Sequence, residues 1–130
     1  MDYLCLIYLD EARLAALPRS ELESLVSAIG VWEGRLRQHR QCLALHRLGP
    51  SRLATTVRAR PPRLHDGPCA GEREQLSVVA LIRAPDLDQA LQLAAALPLG
   101  ALGGVEVRPL AMEQTRQACA TAMTAPSRRG

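Results

Sequence analysis

Two strand-length apolar runs, Tyr3–Leu9 and Leu76–Ile82, constrain this chain more than anything else in it. A strand with one face in water alternates apolar and polar residues, whereas a run without that alternation is buried on both faces. Whatever sheet holds these two segments must therefore be covered on both sides.

The segments between them predict what covers the first side. Ser20 with Glu23 three residues later reads as a capping box, with Pro18 just upstream. Leu22, Leu25, Val26, Ile29, Trp32 and Leu36 then form one helical stripe, with Trp32 as a core anchor. Gly30 and Gly34 weaken such a helix and suggest close packing against a neighbour. Short strands are expected at Cys42–Arg47 and Leu53–Arg60, with Arg63–His65 returning as a hairpin arm after Pro61-Pro62. Pro85-Asp86 opens a second helix, with Asp86 as N-cap, Gln89 in the capping-box position and a stripe of Leu87, Ala90, Leu91 and Ala94. Val105–Arg108 is a last strand. Residues 111–130 read as a C-terminal extension to a domain of residues 1–110, with a helix over Leu110–Met123 and a frayed end.

Strand, helix, strands, strand, helix, strand is the order of an α+β, ferredoxin-like split β-α-β sandwich. Two helices cover only one face of its sheet. A second copy supplies the other cover most simply, so the expected state is a homodimer of the dimeric α+β barrel type.

Composition narrows the function classes. All sixteen cationic side chains are Arg, and Lys, Asn and Phe are absent, a bias expected of a GC-rich bacterial genome. The net charge of +3 is small, and the clusters Arg35/Arg37/Arg40 and Arg58/Arg60/Arg63 alternate with apolar positions. With 2% aromatic residues there is little to stack on bases, so no nucleic-acid partner is expected. No apolar run has the length of a membrane span, and Tyr3–Leu9 lacks the flanks of a signal peptide; a cytoplasmic protein without a membrane partner is expected. Cys5, Cys42, Cys69 and Cys119 form no Cys-x-x-Cys pair and read as free thiols. His39, Cys42 and His46, with His65 and Cys69 further on, have ligand-like spacing but lie on different elements, so neither a metal nor a cofactor is expected.

The strongest candidates for chemistry lie in the stretch His65-Asp66-Gly67-Pro68 and the charged segment after it. Asp66 is the candidate general acid/base, provided that burial in a dimer takes it out of water; its alternative role is to accept backbone hydrogen bonds from its turn. His65 is adjacent, but neighbours in extended backbone point to opposite faces, which argues against a 65/66 dyad. Glu74 and Gln75 either reach into a cleft or cap the strand that begins after them. Arg108 either binds a small carboxylate or pairs with Glu106. For Cys69 as a nucleophile no base can be named.

Taken together, Tyr3–Leu9, His65-Asp66-Gly67-Pro68, Glu74-Gln75-Leu76, Ala84-Pro85-Asp86-Leu87-Asp88 and Val105-Glu106-Val107-Arg108-Pro109 resemble the YCII-related family in its DGPF-domain branch. The resemblance runs over about residues 1–110. It implies a dimeric α+β barrel of ferredoxin-like subunits, found in bacteria, and for most members an unassigned function. It also implies either a small molecule bound in a dimer cleft, with lyase- or isomerase-like proton transfer, or a non-catalytic regulatory module associated with a sigma factor of the extracytoplasmic-function class. The chain departs from the branch pattern at Cys69, Gly71 and Ser77-Val78, and it has no histidine early in its first helix, where the wider family carries one.

Overall fold

Strand β1 (Asp2–Asp10) runs through the interior of a four-stranded antiparallel sheet in the computed structural model, which describes residues 1–111. Its neighbours are β5 (Glu74–Arg83) and β6 (Gly103–Pro109), and β2 (Cys42–Arg47) lies beyond β5, giving the order β2-β5-β1-β6. The two apolar runs are thus the two central strands, paired along both edges.

Their burial is nonetheless uneven. Tyr3, Cys5, Ile7 and Leu9 of β1 and Val78, Ala80 and Ile82 of β5 are buried in one core with the helices. Each large apolar side chain of this kind contributes about 1.5–3 kcal/mol. Leu4, Leu6 and Tyr8 of β1, with Val79 and Leu81 of β5, are only half-buried on the opposite face. The register sets Leu4 beside Leu81 and Arg108, and Leu6 beside Val79 and Glu106. The expectation of strands buried on both faces is therefore met on one side only within a single chain.

Three helices follow from the chain's capping chemistry. Asp10 caps a short helix not anticipated from the sequence, α1 (Glu11–Ala16), accepting from the Arg13 backbone N–H at 3.2 Å. The long helix α2 (Arg19–Gln38) begins directly after Pro18, so Ser20 lies inside it and no capping box forms; the Ser24 hydroxyl donates to the Ser20 carbonyl instead. Its buried stripe is Leu25, Ile29, Trp32 and Leu36, while Leu22 and Val26 are exposed. Trp32 Nε1 donates to the Leu93 carbonyl at 2.8 Å, tying α2 to α3 (Leu87–Ala95). Asp86 caps α3 by accepting from Gln89 N at 2.9 Å; Ala90 and Ala94 are buried, whereas Leu87 and Leu91 are exposed. A Cβ at Gly30 or Gly34 meets no atom within 4 Å, which removes the suggested close packing among the described residues. Gly103 is the glycine that does require its missing side chain: a Cβ there would overlap the Tyr8 carbonyl oxygen and lie 2.8 Å from its carbon.

Between β2 and β5 the chain leaves the sheet. Strands β3 (Thr55–Ala59) and β4 (Pro62–Asp66) pair only with each other, as a hairpin beside one end of the sheet. No helix among the described residues is long and apolar enough to cross a membrane. The expected helix over Leu110–Met123 lies, except for its first two residues, outside the described residues.

Candidate functional site

Where the hairpin meets the end of the sheet there is an open cleft of about 710 Å³. Its walls are mainly apolar: Tyr8 and Leu76 from the sheet, Leu48, Pro50 and Leu53 from the loop before the hairpin, and Pro68 and Cys69 from the loop after it. Ser51, Thr55, Thr56, Glu72, Glu74 and Gln75 supply the polar groups. Apolar walls with a few fixed polar groups are the usual make-up of a small-molecule site.

Both loops are held in place by contacts far apart in sequence. Leu48 N donates to Ser77 O at 2.8 Å, and the carboxylate of Glu11, at the start of α1, accepts from the Ser51 backbone N–H (2.8 Å) and from the Ser51 hydroxyl. On the other wall Gly67 N donates to Ala54 O at 2.7 Å, and the Thr56 hydroxyl donates to Gly67 O at 2.8 Å. Gly67 has φ +113°, a conformation that a side chain would strain. The amide of Gln75 donates to the carbonyls of Glu72 and Ala70 at 2.6 and 3.1 Å, and Arg73 reaches Asp10 at 3.7 Å.

The candidate residues are distributed over three places. Glu74 and Gln75 line the cleft, and Gln75 also braces the loop that forms its wall. Asp66 is exposed on the hairpin directly opposite Thr55, and so shares a face with a residue of the cleft wall without itself lining the cleft. Its turn is held by the backbone of Ala54 and the hydroxyl of Thr56; among the described residues the Asp66 side chain itself makes no hydrogen bond. His65 pairs with Thr56 on the other hairpin face, so the two neighbours do not form a dyad. Arg108 stands on the half-buried sheet face opposite Leu4 and pairs with Glu106 at 3.6 Å, away from the cleft.

Asp10, Glu11 and Ser51 do not stand out in the sequence. Asp10 is the one buried charged side chain among the described residues, and besides capping α1 it faces Arg13 at 3.6 Å and Arg73. The signal present is Asp10-Glu11-Ala12-Arg13 after an apolar strand, an N-cap pattern that also reads as a strand end. Burial pushes the Cys5 thiol up to about 11 and raises that of Cys42 as well, which removes both as nucleophiles. His39 lies within 2.9 Å of the Arg35 carbonyl through Nδ1, and among the described residues no three His, Cys, Asp or Glu side chains converge.

A family model described as the YCII-related domain matches residues 1–113 of the chain. No curated protein matches it.

Proposed function

The chain belongs to the family of the YCII-related domain, and from that premise we propose that two copies close around a small-molecule site in which Asp66 takes up and returns a proton. The observation that carries this reading is the cleft of about 710 Å³, with Asp66 beside its wall on the face of Thr55. Closure by a second copy takes Asp66 out of water, the condition under which a carboxylate serves as acid and base near neutral pH. On this reading Glu74, which lines the cleft together with Glu72, orients the ligand.

Three features support the assembly. β1 and β2 are both antiparallel to β5, which lies between them, and β5 and β6 are both antiparallel to β1 in the same way. With α2 and α3 as the connections, this arrangement supports reading the sheet as two interleaved β-α-β units of ferredoxin-like type, with the β3–β4 hairpin inserted between β2 and β5. The half-buried face of Leu4, Leu6, Tyr8, Val79 and Leu81 supports a second copy as the missing cover. The turn at Asp66-Gly67-Pro68, with its positive φ, supports the DGPF branch.

A thermal-shift screen of small metabolites on the wild type and on Asp66→Ala tests the proposal. A ligand held at 100 times its Kd should stabilise the wild type by about 2.7 kcal/mol, and the same ligand should give little or none of this in the variant. Equal stabilisation of both proteins would remove Asp66 from the site.

A further inference from the structure

The arginines of the β3–β4 hairpin have no part in the function proposed above. Its register sets Arg58 directly opposite Arg63 and Thr56 opposite His65, with Arg60 at the turn. Arg58, Arg60, Arg63, His65 and Cys69 line a concavity of about 410 Å³ to which no carboxylate contributes. Like charges directly opposed across a ribbon are destabilising, and a two-stranded hairpin has little stability to lose.

Several arginines elsewhere face acids, Arg13 and Arg73 on Asp10, Arg37 on Glu33 and Arg83 on Asp2, whereas Arg35, Arg40, Arg47 and Arg52 face none among the described residues. What sets the hairpin apart is that its three arginines line one concavity. Among the described residues Arg58, Arg60 and Arg63 pair with none. Three guanidiniums around one space are complemented by a ligand with more than one negative charge, and their planar forks match phosphate oxygens two at a time. A carboxylate, with one charge, leaves most of the cluster unanswered. A nucleic-acid strand fits less well, because the hairpin offers no aromatic ring on which bases stack.

We infer that this face binds a phosphate group carried by a small molecule. Arg58 and Arg63 hold it from opposite strands, Arg60 closes the turn end, and His65 donates a ring N–H. Cys69 lines both this concavity and the larger cleft, so the phosphate site stands beside the cleft and is independent of what Asp66 does.

Calorimetric titration of the full chain at constant ionic strength, with inorganic phosphate and separately with phenyl phosphate, tests the inference. Both should bind saturably. Arg58→Gln and Arg63→Gln should each weaken binding about tenfold, whereas the distant Arg19→Gln leaves it unchanged. Each hairpin variant removes one of two opposed charges, so without phosphate its melting temperature should equal or exceed that of the wild type; lost binding is then separable from lost folding. Absence of saturation by about 10 mM phosphate overturns the inference. So does equal weakening by Arg19→Gln, or a short single-stranded oligonucleotide that binds more tightly than phenyl phosphate and displaces it.

Discussion

Cys5 shows what burial does to a single group in this protein. It lies wholly inside the sheet–helix core, and with desolvation as the larger cause and Cys42 nearby as the smaller, its thiol is pushed from 9.0 up to about 11. Because the folded value is the higher one, the thiol's contribution to stability is complete below about pH 9. It is lost as the pH rises toward 11, where only the unfolded chain has already given up its proton. Urea unfolding of the wild type and Cys5→Ala across this range should show the gap between them narrowing above pH 9; a constant gap would contradict the assignment. The sequence is sufficient for this residue, since any position inside an unbroken apolar strand is expected to be buried whichever face it takes. It is insufficient for Cys69, which reads as one more small hydrophobe but is exposed on the loop between two concavities. Loop exposure depends on contacts far along the chain, and no local pattern records it.

Among the elements, strands are the more legible. β1 and β5 follow from composition alone, and the hairpin from Pro61-Pro62 between two short runs. The helix α2 is legible in its extent and less so in its burial. A stripe drawn from periodicity includes Leu22 and Val26, yet the sheet beneath is wide enough to bury only Leu25, Ile29, Trp32 and Leu36. The capping box fails because Pro18, which itself lacks a backbone N–H, starts the helix one residue ahead of Ser20. Gly30 and Gly34 are both exposed, with open space where a Cβ would stand. Gly30→Ala and Gly34→Ala should therefore each stabilise the protein by about 0.5–1 kcal/mol, through the cost of ordering glycine in a helix. Chemical denaturation measures this directly, and destabilisation by either change would reveal a contact on that face beyond the described residues.

For the molecule as a whole, the fold class is readable in the sequence and the assembly of the site is not. The cleft exists because Glu11 holds Ser51 and Asp10 meets Arg73, pairs far enough apart along the chain that no spacing rule connects them, and because Ala54 holds Gly67 one step beyond the hairpin register. The candidate set drawn from the sequence is consequently divided among cleft, hairpin and half-buried sheet face. The proposed function depends on that half-buried face, since Asp66 is exposed among the described residues and, on the proposal, a second copy over the apolar sheet buries it. Multi-angle light scattering at micromolar concentration tests this point most directly. The wild type should elute at twice the 14.1 kDa of the chain, and Leu6→Arg, which places a charge in the middle of the half-buried face, should elute at 14.1 kDa while keeping its helical circular dichroism. A wild type that remains a stable monomer at these concentrations would contradict the account.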